Sequence, residues 1–571
     1  MILRALYDYY NRSRGNLPAY GRELKEIGFL IVIDKNGKFI RFEDRRIDKK
    51  QAQLFLVKKS VGRSSAPVAN YLYDNSAYVF GYSDKKSIEE NKKYLDTFIE
   101  KVDAIHSVAN GNEIIESVYQ FYRQEMETVR EQMVQDPLWE EISKNLSKRF
   151  SFFSFLIEGD MQIVAEKDEL LDLIKGEDRD GDSICLISGD KGTPVETTTA
   201  TMIPGSQATA KLVAFQVNSG YDSYGKEKGG NAPISEKAEF AYTTALNYML
   251  RSDSRNKFLV GNRTFLFWAS KADEAGKQAE ESIFSMFGFN DQEDDPNRNV
   301  EQVRKVFTSI YSGALKTSLD DKFYILGLAP NSARIAVTYW SEMSLKEFAA
   351  LVLRHFDDMD IVDTRKEPKP YMGLRSILAA VTLGGKSSDA TPNLPEAVVK
   401  SIFQGLPYPY TLFAGCIRRI RAEQSLNITR AAILKAYLNR VNNNQQKITT
   451  MIDKENTNQG YLCGRLFAVL DKIQDDANKQ HSIRERYMNA ASSTPAAVFA
   501  TILNLSSHHS EKLNEGRKIF FEKTKQEIID KISADGFPAH LDLQDQGRFF
   551  VGYYHQMQTF YTKNDEEQIS E

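Results

Sequence analysis

The chain has 571 residues, of which 42% are hydrophobic and 27% charged, with a formal net charge of −4 at pH 7. These values exclude a disordered chain and leave room for roughly two to four domains with sizeable cores. They also exclude a globally basic nucleic-acid binder, so any contact with DNA has to be made by local patches.

Leu3, Leu6 and Tyr10 give Met1–Asn11 helical spacing, and Arg4 and Asp8 interrupt any signal-peptide core. No later stretch is long and apolar enough to span a bilayer, so a cytoplasmic protein is expected. FLIVIDKNGKFIRFED predicts a β-hairpin about a two-residue Asn36-Gly37 loop, because both positions tolerate positive φ. Leu54–Val57 and Ala77–Gly81 read as strands bracketing a loop, KKSVGRSSAPVANYLYDN. From Ser87 to Phe150 the pattern is helical, through Leu95, Phe98, Val102 and Ile105. Strand character returns at Phe152–Ile163 and, within a turn-rich stretch, at Ile184–Ile187.

Between Asn218 and Arg251 a glycine-rich polar loop carrying Lys226 and Lys228 runs into a helix with Ser235 as N-cap. Phe240, Thr244, Asn247 and Tyr248 share one face of that helix. Phe258–Ala269 predicts a second hairpin at Gly261-Asn262. Ala272–Glu301, with nine Asp/Glu against two Lys/Arg, is expected as a mobile, solvated insertion. Val300–Leu315 reads as helix, FYILGLAPNSARIAVTYW as two strands joined at Pro330-Asn331-Ser332, and Leu345–Phe356 as helix.

The proline- and glycine-rich stretch 361–394 is the best interdomain linker, and beyond it no strand is expected. Pro395–Phe403, Thr411–Glu423, Thr429–Val441, Gly460–Lys472, Pro495–Leu505, Glu511–Ile532 and Leu543–Phe560 all read as helices. The expected class is α+β: a mixed region 1–360 with antiparallel hairpins and helices, then an all-α region 395–571 whose last part, 451–571, forms a helical bundle.

Motifs for catalysis are weak. GDKGTP and GKEKGG lack the order and context of a phosphate-binding loop, and no GxSxG elbow or HExxH occurs. Asp178, Asp180 and Asp182 resemble a calcium loop, but Gly181 stands at the fourth position and no glutamate closes the set, so a polar turn is expected. Asp357, Asp358 and Asp360 beside His355 are the one candidate for a metal-dependent nuclease, against which a solvated helix end is the plainer reading. Cys185, Cys416 and Cys463 lie far apart in no zinc-ligand spacing and read as buried free thiols. No cofactor is expected.

Two basic patches carry more. From Arg41 to Asn70 there are eight Lys/Arg against three Asp/Glu, ending in GRSSAPVAN. Lys58, Lys59 and Arg63 attract phosphate, Ser64 and Ser65 donate to phosphate oxygens, and Asn70 carries the donor-acceptor pair that reads a base edge. From Thr411 to Lys447 seven Lys/Arg face Glu423 alone, with Arg418 and Arg421 on one helix face and Arg419 about 100° around. Lys226 and Lys228 are a third, weaker candidate for phosphate or partner contact.

MILRALYDYY, GRSS, YLYDNSAYVFGY, CLISG, SYGKE with NAP and AYTTALNYML, FYILGLAPNSARIAVTYW and FPAHLDLQDQGRFFVGYYHQ together resemble the large subunit of the type I-C CRISPR Cascade surveillance complex across nearly the whole chain. One departure is PGSQATAKLV, where a GAQSSG-like turn is expected. The resemblance implies a non-catalytic subunit that reads the protospacer-adjacent motif in double-stranded DNA, aids duplex opening and holds the displaced strand, while the guide RNA reads target sequence. On that reading the GRSSAPVAN loop reads the motif, and Arg418, Arg419 and Arg421 follow the displaced strand or the heteroduplex backbone. The partners implied are guide-RNA-containing Cascade subunits, target DNA, an effector helicase-nuclease, and a small subunit translated from an internal start. Met451 is the expected start, giving 571 − 450 = 121 residues, whereas Met488 would cut inside the bundle. The alternatives are a metal-dependent nuclease at Asp357–Asp360 and a pure assembly scaffold whose basic patches face acidic subunits.

Overall fold

A computed structural model describes residues 2–49, 51–63, 66–109, 111–173, 181–215, 222–287, 300–365, 373–441, 446–479 and 482–561. The fold is α+β, with strands confined, among the described residues, to the part before residue 345 and helices following to the end. Two compact units emerge, residues 3–199 with 213–248, and residues 200–212 with 249–571.

In the first unit the two most apolar runs, Phe29–Ile33 and Phe153–Ile157, pair in parallel and are buried throughout. Continuous apolar sequence is what a strand covered on both faces requires. Phe39–Asp44 and Tyr73–Asp74 flank them antiparallel, giving a four-stranded mixed sheet. Helices Ile88–Ala109, Glu113–Phe121, Met126–Val134 and Trp139–Asn145 fall between Tyr73–Asp74 and Phe153–Ile157, and supply Leu95, Phe98, Ile115, Val118, Met133 and Ile142 to the core. A separate ribbon pairs Arg22–Glu26 with Leu54–Lys58.

The first hairpin is present, but its loop is not the two-residue one expected. Ile33 pairs with Phe39, and Asp34 Oδ1 closes the five-residue loop by accepting from the backbone N–H groups of Asn36 (2.9 Å) and Lys38 (2.8 Å). Gly37 alone takes positive φ there (+78°), and a Cβ on it would lie 2.5 Å from the Ser117 carbonyl. Ala77–Gly81 is not a strand. Asn75 Oδ1 accepts from the Ala77 N–H (3.1 Å) and starts a one-turn helix, Ser76–Val79, so the sheet takes only Tyr73–Asp74 from this stretch. The helix Glu236–Leu250 begins as expected, with Ala238 N–H donating to Ser235 Oγ at 3.3 Å. Of the expected face Phe240 is buried, with Ala238, Ala241, Tyr242, Ala245, Leu246 and Met249, whereas Thr244, Asn247 and Tyr248 are only half-buried.

In the second unit Lys257–Val260, Arg263–Ala269, Lys322–Asn331 and Arg334–Ser344 form an antiparallel meander, with the expected hairpin at Gly261-Asn262 and a second whose loop is Ser332-Ala333, since Pro330 and Asn331 pair within the strand. Phe258, Phe265, Phe267 and Phe323 join one core with residues of helices Glu274–Phe287, Val300–Ser312 and Leu345–Met359, for example through the Phe323–Phe348 stack at 4.2 Å. The acidic insertion is therefore corrected in its first half. Residues 274–287 form a helix that buries Ala275, Ala279, Ile283, Met286 and Phe287; Glu274 and Glu281 are exposed, while the half-buried Glu280 accepts from the Ala269 N–H (2.8 Å) and Asn256 Nδ2 (3.0 Å), and residues 288–299 lie outside the described set. Of the stretch expected as a linker, Ile361, Leu374, Ile377, Leu378 and Leu394 belong to this same core.

The seven expected C-terminal helices are all present, together with Ser482–Ala491, which the sequence reading passed over. Gln459–Asn478 is buried continuously from Gly460 to Gln474, and Leu543–Thr559 from Gln546 to Gln556. The two helices pack against each other backbone to backbone. A Cβ at Gly464 would stand 1.9 Å from the Phe549 carbonyl oxygen, and one at Gly552 2.3 Å from that of Tyr461, so neither position admits a side chain. Their buried charges are matched: Arg465 with Glu527 (2.9 Å), Asp471 with the Tyr553 hydroxyl (2.7 Å), and Lys472 with Asp475 (2.8 Å) and Asp476 (2.9 Å).

Candidate nucleic-acid interface

The loop after strand Leu54–Lys58 is built on one buried carboxylate. Asp74, with no exposed side-chain surface, pairs with the Arg63 guanidinium and accepts from the Asn70 backbone N–H at 2.9 Å. Burial pushes the Asp74 carboxyl up, and Arg63 opposes that. Arg63 also donates to the Val68 carbonyl (2.9 Å) and lies 4.2 Å over the Tyr78 ring, whose hydroxyl accepts from the Val68 N–H (3.2 Å). The Tyr73 hydroxyl, whose pKa burial raises first and Glu23 second, donates to the Lys58 carbonyl at 2.9 Å and contacts Ser60 Oγ at 3.0 Å. The outcome is a cross-braced loop base, next to which Gly62 and Ala66 are exposed.

This geometry revises the roles expected within the patch. Asn70 is 3% exposed and its Oδ1 accepts the Val61 N–H at 3.0 Å, so the side chain fastens the loop and has no free edge for a base. Lys59 is spent too: Nζ donates to Thr199 Oγ1 (3.0 Å), pairs with Glu239 (3.4 Å) and lies 5.2 Å over Phe240. Lys58 is half-buried with its Nζ 6.0 Å from the Tyr71 ring; burial first, and Arg22 second, lower its pKa. Ser64 and Ser65 lie outside the described residues. Sequence reasoning missed Asp74, Tyr73 and Tyr78, whose only signal is a lone acid among aromatics in YLYDNSAY.

The second patch is mostly internal. Arg430 pairs with Glu423 and donates to the Ala380 carbonyl (2.9 Å), Lys435 to the Asp357 carbonyl (3.3 Å), and Arg440 to Asp358 (2.6 Å) and the Ser401 carbonyl (2.6 Å). On helix Tyr410–Glu423, Arg419 pairs with Glu423 at i,i+4, Nε to Oε1 3.0 Å, and Arg421 reaches Gln546 at 3.4 Å. Arg418 is the exposed cation of this helix. In the glycine-rich loop Lys228 pairs with Glu196, while Lys226 is exposed beside Tyr224, which is 95% exposed.

Over residues 6–561 the chain matches the CRISPR-associated protein family Cas_Csd1. It belongs to that family. It is thus a CRISPR-associated protein, of the kind that makes up Cascade complexes. No curated protein matches the chain closely enough to add a residue-level comparison.

Some of the sequence landmarks have structural work to do. In CLISG, Cys185 Sγ accepts from the Ile187 (3.4 Å) and Ser235 (3.3 Å) N–H groups, tying that turn to the helix start; all three cysteines are free and buried, as expected. The carboxylates considered for a nuclease do not converge. Asp357 pairs with Arg304 (3.0 Å), Asp358 with Arg440, and Asp360 reaches Thr450 (3.4 Å), while His355 is buried against the Tyr408 hydroxyl (2.7 Å). Among the described residues no group of three or more His, Cys, Asp or Glu is placed to hold a metal ion, and no helix is long and apolar enough to cross a membrane. Of the calcium-loop acids Asp178 and Asp180 lie outside the described residues, and Asp182 is exposed, 3.8 Å from Lys191.

Proposed function

We propose that this chain is the non-catalytic large subunit of a type I-C Cascade complex, reading the protospacer-adjacent motif in duplex DNA, aiding strand opening and holding the displaced strand. Membership of Cas_Csd1 over residues 6–561 carries the reading. The loop at 60–74 supports the motif-reading part, because a short element that reads bases must hold its shape without the DNA. Asn70, Arg63 and Asp74 supply the brace, and the GRSSAPVAN segment makes the contact. Asn70 thus moves from base reader to positioning residue. Arg418 meets the backbone of a strand, and a guide-RNA-containing assembly and an effector helicase-nuclease are the partners, in the cytoplasm.

The same reading includes a small subunit begun at Met451, which stands exposed ahead of helix Gln459–Asn478. The bridges of Arg465, Asp471 and Lys472 all close within 451–571, so this segment carries its own partners for those buried charges. Replacing Met451 by a non-initiating codon should abolish the short product; its persistence would reject this start.

The deciding experiment assembles the complex with guide RNA and measures binding to targets that differ only in the flanking motif. With Asn70→Ala, affinity for the motif-bearing target should fall about tenfold, to near that of the motif-less target. Equal discrimination by wild type and variant rejects the loop as the reader. Salt-independent binding would favour the assembly scaffold instead.

A further inference from the structure

Within the second unit, one wall of a cleft of about 1120 Å³ is the segment Ser252–Asn262, the turn and strand that follow helix Glu236–Leu250. Helix Leu374–Ala379 and the segment 387–395 line it opposite. Three cationic side chains line it, Arg255, Lys257 and Arg375, against one carboxylate, Asp253. That carboxylate is already neutralised by a two-pronged pair with Arg251, at 3.1 and 2.8 Å. The Arg255 guanidinium lies 4.9 Å over the Phe284 ring, which orders it while leaving the residue exposed. Lys257 has another task, donating to the Leu250 carbonyl (2.8 Å) at the end of the preceding helix.

The rest of the lining is mixed. Ser387 contributes a hydroxyl from LGGKSSDATP, part of the stretch expected as a linker, while the Ser388 hydroxyl donates to Asp389 (3.1 Å) and Lys386 stands exposed beside them. Phe284, Leu378 and Pro392 contribute apolar surface, as does Leu259, which is 44% exposed. Cations and hydroxyls suit phosphate; flat apolar surface alongside suits the faces of unpaired bases. The volume exceeds the roughly 300–1,000 Å³ of small-molecule sites. In a duplex the base faces are stacked and hidden, so only a strand without its complement presents both surfaces at once.

We propose that this cleft binds single-stranded DNA, with Arg255 and Arg375 on its phosphates and Leu259 and Pro392 against its bases. The identity of that strand as the displaced one rests on the proposed function; the binding itself does not.

The test uses the full chain and a fluorescein-labelled oligothymidine of about 15 nucleotides, followed by anisotropy over a salt series. Arg255→Ala with Arg375→Ala should weaken binding about tenfold and reduce the log–log salt slope by about 1.4, two single-strand phosphate contacts. Circular dichroism should be unchanged. Should this pair misfold, Arg255→Gln with Ser387→Ala should still weaken binding at least threefold. Affinity and slope equal to wild type in a folded variant overturn the proposal, as does an equal loss on a blunt duplex. Motif discrimination by the assembled complex is read separately through Asn70→Ala. Its failure with the oligothymidine effect intact would remove the motif reader and leave the cleft standing.

Discussion

The two basic stretches that stand out in the sequence behave differently in the folded chain. In residues 41–70 the cations Lys59 and Arg63 brace the loop that follows strand Leu54–Lys58. In residues 411–447 the cations Arg430, Lys435 and Arg440 are buried and matched to a carboxylate or carbonyl, so that Arg418 is what the 410–423 helix presents. A surplus of Lys and Arg along a chain is thus no measure of surface charge. The first patch spends charge on shape near the surface, the second on holding helices together.

Four measurements sharpen or break that contrast. Arg440→Ala removes one partner of a buried pair and should cost about 3–5 kcal/mol of stability in urea unfolding. A loss below about 1 kcal/mol would return Arg440 to the surface patch. The second is a pH effect in the same unit. Burial first, and neighbouring cations second, hold both His355 and His555 at a pKa of about 3. The unfolded chain binds those protons near pH 6.5, so stability is full above that pH and falls as pH drops through the window 6.5 to 3. At pH 5 each histidine should have cost about 2 kcal/mol, 1.5 pH units at 1.36 kcal/mol each. His555→Gln should halve the combined slope; an unaltered slope would show that the histidine is not the source.

Asn70→Ala comes next. It strips the half-buried Val61 N–H of its acceptor and should cost about 1–3 kcal/mol without any DNA present. A loss under about 0.5 kcal/mol would mean that Asn70 does not brace the loop. The smallest effect belongs to Arg418→Ala, which should leave stability within about 0.5 kcal/mol of wild type. If Arg418 meets a strand phosphate, the variant lowers the salt slope of binding by about 0.7; no change in slope removes it from the interface.

Much of the architecture was legible because it rests on local chemistry. Gly261-Asn262 and Pro330-Asn331-Ser332 marked their hairpins, and apolar stripes such as Leu462, Leu466, Leu470 and Ile473 marked helices that are buried along those stripes. The errors arose where a single polar atom or a small residue decided the outcome. Asp34 enlarged a turn, Asn75 began a helix in an apolar run, and Ala275 and Ala279 let an acidic segment pack. Helix Ser482–Ala491 was missed because Ile483, Met488 and Ala491 are its only buried residues in a polar stretch. The site was half legible. Charge could be counted, but Glu239 lies 180 residues from Lys59 and Asp358 lies 82 from Arg440, and only the fold brings such partners together.

The glycine-lined contact between Gln459–Asn478 and Leu543–Thr559 bears on the timing of folding. The second of these helices is the last described element to leave the ribosome, and until it arrives the apolar residues of Gln459–Asn478 that it will cover, Phe467 among them, have no lid. A chain cut before Leu543 therefore leaves those apolar residues of Gln459–Asn478 facing water.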